Sequence, residues 1–422
     1  MTEETNAASA LAGRPVVVTR PGHPILRQDI APEALKIIYR LHRLGFTAYV
    51  TGGAVRDLML GRPAKDFDIV TDARPGQIKK RFANAYVIGR RFRLVHIRFS
   101  GGKTIEVATF RKAADPIVKK GQAGEPVPPR PYGTPEEDSF RRDITINALF
   151  YDVINDAVID YVGGLEDLAR KTVRIIGDPP ERFAEDPARI WRVLRHAARL
   201  GFALDQATED AIPSHVHLLA TCPGARLFEE LNKDLSNDTR PVLEALRHFG
   251  LMRHIFGKAG QGYEANPELF ARLNSLIEIR DRWRETGIQF CLEELYSILF
   301  WPWLEPLVGE TRTDLPKTLT DAFRMAGMKV NIPRMLRSSV VEIIAIIAAM
   351  NRAIQTGRMR WSLLRRPHYA SASRLFFLIF EGRPPSEGES FGDLFRKAFP
   401  SQWRPRGRRR RRSGKRFPAK PQ

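Results

Sequence analysis

A short strand, a Gly-Gly turn, a short helix and an acidic second strand follow one another closely near the start of this chain. The segment FTAYVT has the composition of a β-strand, the residues Gly52 and Gly53 turn the chain, and AVRDLML predicts a short helix. The run DFDIV predicts the next strand. Because side chains alternate along a strand, Asp66 and Asp68 are expected to share one face while Phe67 enters the core.

Two like charges held this close are unfavourable unless a cation neutralises them, and oxygen ligands of this kind suit Mg²⁺. Gly52 and Gly53 lack a Cβ and let the backbone approach a ligand, and the helix that follows directs N-terminal amides towards an anion. Metal-binding carboxylates beside a phosphate-sized cradle predict phosphoryl or nucleotidyl transfer. The alternative is a turn followed by a solvated strand edge, without any ligand.

The hydrophobic pattern changes near residue 178. Short strand-like and helix-like runs alternate before it, and the spacing after it is almost wholly helical, which predicts an α+β head followed by an all-helical body. Residues 112–138 are rich in Pro and Gly and predict a mobile loop within the head. The chain is expected to divide into an N-terminal extension (1–31), an α+β head (32–178), a neck (179–265), a body (266–400) and a tail (401–422).

The net charge of +20 is unevenly distributed, because the last nineteen residues hold ten Arg or Lys and no acid. Such a run has almost nothing apolar to bury, which predicts a disordered tail. Planar guanidinium groups suit phosphate, so an arm that binds polyanions is favoured over a merely solubilising tail. The arginines expected to make these contacts are Arg408, Arg409, Arg410, Arg411 and Arg412.

Cysteine usage and hydropathy indicate a reduced, cytoplasmic protein. Cys222 and Cys291 are the only cysteines, too few for a disulfide framework, and the acidic, polar first residues are atypical of a secretory signal. The most apolar stretch, residues 340–350, is too short to span a bilayer and contains Glu342. No membrane span is therefore expected.

Five motifs follow one another in a characteristic order. They are GGAVRD followed nine residues later by DFD, IEVATFR at 105–111, RRDITINAL at 141–149, EDPARIWRVLRHAARLGF at 185–202 and GARLFEEL at 224–231. Together they resemble the class II nucleotidyltransferases, a superfamily that contains bacterial CCA-adding enzymes and bacterial poly(A) polymerases. The stretches VIGRRFRLVHIRF and LYSILFWPWLEPL and the arginine-rich end resemble the poly(A) polymerase I branch.

The resemblance implies that Asp66 and Asp68 bind two Mg²⁺ ions. Asp143 matches the position of the family's third catalytic carboxylate, and Glu106 is a second candidate because its strand could pair beside the acidic strand. The glycines and the motif arginines would bind the nucleotide's phosphates and ribose. A structural ion pair is the alternative for Arg56 and Asp57. A position at the interdomain hinge, or a surface pair at a helix start, is the alternative for Arg141 and Arg142. The residues implied in phosphate and ribose binding are Gly52, Gly53, Arg56, Asp57, Arg141 and Arg142.

Asp186 and Arg189 are implied in reading the base. One acceptor and one donor match the edge that adenine and cytosine share and reject guanine and uracil, so this pair does not separate an ATP-specific enzyme from a CCA-adding one. Helix capping is the alternative role for Asp186.

The implied function is template-independent polyadenylation of RNA 3′ ends with ATP, in RNA processing and decay. The resemblance further implies a monomer that can interact with RNA-decay proteins. A CCA-adding tRNA nucleotidyltransferase is the nearest alternative. A non-catalytic RNA-binding protein on the same scaffold is an alternative of another class, which the intact acidic pair disfavours.

Overall fold

The computed structural model describes residues 14–89, 94–112, 132–310 and 314–400. The chain forms two compact units, Met1–His254 and Ile255–Gln422. The expected head and most of the expected neck therefore lie in one unit, whereas the sequence placed boundaries at 178 and 265. The expected arginine arm at Arg408–Arg412 lies outside the described residues.

The first unit is built on an eight-stranded mixed sheet. In chain order its strands are Val16–Thr19 (β1), Ala48–Thr51 (β2), Asp68–Thr71 (β3), Ala85–Ile88 (β4), Leu94–Arg98 (β5), Thr104–Thr109 (β6), Phe150–Asp152 (β7) and Ala157–Asp160 (β8). Their spatial order is β1-β8-β7-β2-β3-β6-β5-β4. Among these strands β3 and β6 run parallel, and every other neighbouring pair is antiparallel. The central position of β3 places the acidic motif in the middle of the sheet.

Helices cover the sheet and continue beyond it within the first unit. Their bounds are Pro32–Arg43 (α1), Gly53–Met59 (α2), Pro75–Arg81 (α3), Pro135–Phe140 (α4), Gly164–Ala169 (α5), Pro179–Glu185 (α6), Ala188–Leu200 (α7), Gln206–His215 (α8), Gly224–Ser236 (α9) and Thr239–His248 (α10). Two short parallel strands, Thr172–Val173 (β9) and Ala203–Leu204 (β10), pair beside α7. The chain after residue 178 is thus almost, but not entirely, helical.

The sequence of the N-terminal extension carries few structural signals, yet the structure contains a strand in this segment. Val16–Thr19 forms edge strand β1, which pairs antiparallel with β8. Its Val16 and Val17 side chains are 57% and 53% exposed, so the segment lacks the alternation of buried and exposed residues that identifies a strand in a sequence.

The expectation of a mobile loop over residues 112–138 is wrong for the end of this stretch, where the structure contains a helix. Residues 113–131 lie outside the described residues, but Pro135–Phe140 forms α4. The Thr134 hydroxyl accepts a hydrogen bond from the Glu137 amide, and the Glu137 carboxylate accepts one from the Thr134 amide. This reciprocal capping starts a helix inside a stretch whose composition is typical of a loop.

The second unit is helical, as expected. The boundary between the units falls within Met252–Phe256 (α11). The helices that follow are Lys258–Ala265 (α12), Pro267–Glu285 (α13), Leu292–Glu310 (α14), Leu315–Met325 (α15), Arg334–Thr356 (α16), Tyr369–Phe376 (α17) and Phe391–Ala398 (α18). A 3₁₀-helix, Trp361–Arg365, connects α16 to α17.

Helix α16 is 23 residues long and apolar enough to cross a membrane by length and composition. It is thus longer than the stretch at 340–350 that the sequence singled out. Of its most apolar window 56% is buried inside the protein, where it packs against α14, α15 and α17. This burial is typical of the core helix of a globular unit.

A buried ionic cluster joins α7 to α9. Arg195, whose side chain is 4% exposed, pairs with Glu230 and Asp234, and the Trp191 indole donates to Asp234 over 2.6 Å. In the sequence Arg195 reads as part of a basic stripe that is either solvated or in contact with RNA, whereas the structure buries it between two carboxylates. Each charge is neutralised by its partners, which offsets the cost of removing it from water.

We predict that Arg195→Met lowers the free energy of unfolding by about 3–5 kcal/mol, because two carboxylates lose their buried partner. Arg170→Met is the matched control, since the Arg170–Glu166 pair has side chains 70% and 61% exposed and is expected to contribute less than about 1 kcal/mol. Urea unfolding followed by tryptophan fluorescence measures both changes. Equal losses in the two variants would contradict the account of the buried cluster.

Candidate active site

The glycine turn lies directly beside the acidic strand. Thr51, the last residue of β2, pairs with Asp68, the first residue of β3. Gly52 follows with a φ of 75°, a left-handed conformation that favours glycine. A Cβ added there would lie 3.7 Å from the Asp68 carboxylate and 3.9 Å from the Arg142 guanidinium. The turn therefore brings the backbone to the carboxylate and to a cation.

Three carboxylates gather at this end of β3. The parallel register places Asp68 directly beside Glu106 of β6. Asp66 lies just before the strand and lines a cavity of about 460 Å³ together with Asp68 and Glu106. The His96 imidazole contacts the Glu106 carboxylate at 3.1 Å. Glu106, the second candidate for the third carboxylate, therefore lies beside the expected pair of Asp66 and Asp68.

Burial and the neighbouring carboxylates raise the pKa of Asp68. The walls of the site withdraw water from the carboxylate and raise its pKa to about 6, and the negative charges of Glu106 and Asp66 act in the same direction. Arg142 opposes them but does not cancel them. The Asp68 carboxylate therefore has a strong electrostatic preference for a cation.

These carboxylates suit Mg²⁺ in a site that leaves room for water and substrate phosphates. Within the part of the chain that the structure describes, no three His, Cys, Asp or Glu side chains converge into a closed metal cage. Mg²⁺ does not need such a cage, because it usually keeps several waters and binds one or two carboxylates together with substrate phosphates. Asp68 and Glu106, with Asp66 beside them, provide a donor set of that kind.

A cavity of about 360 Å³ extends from the carboxylates to a basic wall. Arg141 and Arg142 line this wall, and both donate to the buried Asp138, the Arg141 Nε over 2.8 Å and the Arg142 Nη2 over 2.8 Å. Burial alone would raise the pKa of Asp138, but the charges of the two arginines outweigh it and lower the pKa. The Asp138 carboxylate thus holds both guanidinium groups in place, and both arginines line the cavity.

Asp143 lies on the same wall, and its carboxylate is held by two cations. Arg189 Nε donates to it over 3.0 Å, and Arg192 Nη2 pairs with it at 2.9 Å. Within the part of the chain that the structure describes, Glu106 forms no comparable ion pairs with arginines, and its partner is His96. Both candidates for the third carboxylate therefore line the cavity, Glu106 beside Asp68 and Asp143 within an ion-pair cluster.

Arg56 and Asp57 form a pair at 2.7 Å, so the structural alternative for these residues has a geometric basis. Arg56 Nη1 also donates to the Asn147 side chain over 2.7 Å, and the Asn147 amide lies 3.3 Å from His196 Nε2. Burial, followed by the charges of nearby arginines, lowers the pKa of His196 well below its usual value. A neutral His196 and Asn147 complete the floor of the cavity.

The two residues implied in base reading are engaged elsewhere. Asp186 pairs with Arg226 and accepts from the Ala188 amide over 3.3 Å, and it lies directly before Pro187, the N-cap residue of α7. Arg189 pairs with Asp143 and also with Glu185, over 2.8 Å. Neither Asp186 nor Arg189 is among the described residues that line the cavity.

Sequence reasoning missed three residues that shape the site. Asp138 lies in the stretch expected to be a mobile loop, and Asn147 carries no charge to draw attention to it. Arg192 belongs to the basic stripe on α7 and reads as a surface residue. The available signal was the spacing of Asp138 from Arg141 and Arg142, three and four residues apart, which favours contact on a helix.

Family models match two parts of the chain. Residues 48–174 match the family described as "Poly A polymerase head domain", and residues 201–259 match "Probable RNA and SrmB- binding site of polymerase A". The first match spans the glycine turn, the carboxylates and the basic wall, and it ends directly after β9.

Whole-chain comparisons agree with these matches. The chain is 35% identical to poly(A) polymerase I of Salmonella typhi over 89% of its length and 84% of that protein. It is 38% identical to the CCA-adding enzyme of Bacillus pumilus over 48% of its length and 49% of that protein. Its fold is similar to the crystal structure of the Bacillus stearothermophilus CCA-adding enzyme in complex with CTP, with a TM-score of 0.60 and 28% identity, over 88% of this chain and 83% of that one.

Proposed function

The chain belongs to the poly(A) polymerase family of nucleotidyltransferases, and from this premise we propose that it adds AMP units from ATP to RNA 3′ ends without a template. The observation that carries the proposal is one cavity that is lined both by Asp68 and Glu106, which are neighbours in the sheet, and by Arg141 and Arg142. One wall offers oxygen ligands for a cation, and the other offers cations for a triphosphate.

Each part of the cavity has a role in this reaction. Arg141 and Arg142 bind the triphosphate, and Gly52 lets it approach the backbone. The RNA 3′-hydroxyl gives up its proton to solvent, and its oxygen forms a bond to the α-phosphorus of ATP while the bond to the pyrophosphate oxygen breaks. When bound, two Mg²⁺ ions supply a lower pKa for the 3′-hydroxyl and neutralise charge on the departing pyrophosphate. No nucleophile from the protein is required.

Base selection is assigned to Asp186 and Arg189. Because Arg189 is paired with Asp143 and Glu185 in this structure, contact with adenine requires it to exchange one of these partners when the nucleotide enters. Asp143 then acts as a positioning residue that holds Arg189 and Arg192. The bases that such a pair accepts are adenine and cytosine, so CCA addition is the second candidate function.

Polyadenylation is favoured over CCA addition by the extent of the sequence match, which covers 89% of the chain for poly(A) polymerase I of Salmonella typhi and 48% for the CCA-adding enzyme of Bacillus pumilus. We assign the activity to RNA processing and decay in the cytoplasm, with RNA-decay proteins as expected partners of a monomer. Absence of such proteins after affinity purification of the tagged chain from cells would count against this assignment.

We predict that Asp68→Ala reduces AMP addition by roughly 10³-fold, because a Lewis-acid metal contributes several kcal/mol to such a step. RNA affinity should stay within about twofold of wild type, since nucleic-acid affinity comes mainly from phosphate contacts. Glu166→Ala, which removes an exposed carboxylate from the same unit, is the control and should leave both quantities unchanged. Substantial turnover of Asp68→Ala with Mg²⁺ present would disprove the metal-binding role.

A second prediction separates the two candidates for the third carboxylate. We propose Glu106, because it lies in register with Asp68 while the Asp143 charge is shared by two arginines. Glu106→Gln should raise the Mg²⁺ concentration for half-maximal activity by about tenfold and weaken Mg²⁺ binding in calorimetry. Asp143→Asn should leave both unchanged and affect the KM for ATP. The opposite pattern would identify Asp143 as the ligand.

A third prediction concerns the proposed RNA-binding tail with Arg408–Arg412. Ending the chain after Trp403 should preserve single AMP addition at saturating RNA, because an electrostatic arm acts on RNA affinity and not on the chemical step. It should weaken RNA binding and flatten the dependence of log K on log salt by about 0.7 for each lost phosphate contact. Binding measured across a salt series tests this, and identical slopes for both proteins would show that the tail does not contact RNA.

A further inference from the structure

A long segment of the second unit carries arginine as its only charged residue type apart from one histidine. Between Glu342 and Glu381 the sequence contains six arginines and no Asp, Glu or Lys. The segment includes the end of α16, the 3₁₀-helix and α17. It lies beyond residues 201–259, the part that the family comparison describes as binding RNA.

Four of these arginines line one cavity of about 470 Å³ within the second unit. We call it the arginine pocket, and it is defined by Arg352, Arg358, Arg360 and Arg366. Ala345, Ala349 and Leu363 form its apolar floor, and Ser362 adds a hydroxyl. No acidic side chain is among the described residues that line it.

The pocket arginines differ from other arginines of the same unit. Arg374 pairs with Glu294 at 3.2 Å, and Arg383 pairs with Glu389 at 2.9 Å. Among the described residues, no ion pair or side-chain hydrogen bond involves a guanidinium group of the pocket, and all four arginines are exposed. Like charges gathered without counter-charges repel one another and create a positive potential that attracts an anion.

We propose that the arginine pocket binds backbone phosphates of the RNA strand that the enzyme extends, an inference that rests on the proposed function. Guanidinium groups present fixed forks of donors that match phosphate oxygens, and a segment that uses only arginine as its cation fits this chemistry better than general solubility does. Free ATP or inorganic phosphate carries the same group. Four exposed arginines from positions 352 to 366 suit successive phosphates of a strand rather than one small anion.

The test compares two double variants of the full chain. Arg358→Gln/Arg366→Gln removes two pocket cations, and Arg334→Gln/Arg365→Gln removes the same charge from exposed positions outside the pocket in the same unit. Fluorescence anisotropy measures the binding of a 20-nucleotide oligoadenylate over a salt series. All proteins keep the tail, so its contribution cancels, and circular dichroism checks that each variant is folded.

We expect the pocket variant to flatten the salt slope by about 1.4, or 0.7 for each lost contact, which corresponds to about 25-fold weaker binding at 0.1 M salt. The control variant should keep the wild-type slope and affinity. Single AMP addition at saturating RNA should be unchanged in both variants, because the catalytic cavity is intact.

Three outcomes would overturn the inference. They are a wild-type slope for the pocket variant, equal losses in both variants, and weaker binding of ATP or inorganic phosphate in calorimetry with unchanged RNA affinity. The last result would identify a site for free phosphate compounds. Failure of the proposed function gives a different result, since the wild-type protein would then lack AMP addition whatever the pocket variant binds.

Discussion

The repulsion between Asp68 and Glu106 is the constraint on which the rest of the active site depends. Parallel pairing of their strands fixes the two carboxylates side by side, and this contributes to the raised pKa of Asp68. The nearby Arg142 reduces the repulsion without neutralising it, because its guanidinium is bound to the buried Asp138. The carboxylates and the arginines are thus kept on separate walls, one suited to a metal ion and the other to a triphosphate.

Ion pairs also explain why the expected head and neck form one unit. Arg189 and Arg192 of α7 hold Asp143, which follows the two arginines of the basic wall. On its other side α7 is joined to α9 through Arg195 and Asp234. The helix that carries the proposed base-reading residue is therefore tied both to the catalytic sheet and to the helices behind it, and a movement of α7 would reach the cavity directly.

Local patterns predicted much of this architecture. The Gly52–Gly53 turn, the strand at Asp68 and the helical second unit follow from glycine chemistry and hydrophobic periodicity. The sequence named Glu106 as a possible neighbour of Asp68 but did not rank it against Asp143, because parallel pairing of strands about forty residues apart depends on the folded sheet. Arg195 reads as a surface residue, since its carboxylate partners are far away in the sequence. Sequence proximity thus identified the motifs, and tertiary pairing determined which charges meet.

The measurement that tests the central claim most directly is nucleotide incorporation by the full-length protein with Mg²⁺. Labelled ATP, CTP and GTP are supplied separately, once with a generic RNA and once with a tRNA that lacks its 3′ end. The account predicts repeated AMP addition to the generic RNA, little use of CTP and rejection of GTP. Incorporation of CMP followed by AMP on the truncated tRNA alone, with no extension of the generic RNA, would contradict it and identify a CCA-adding enzyme.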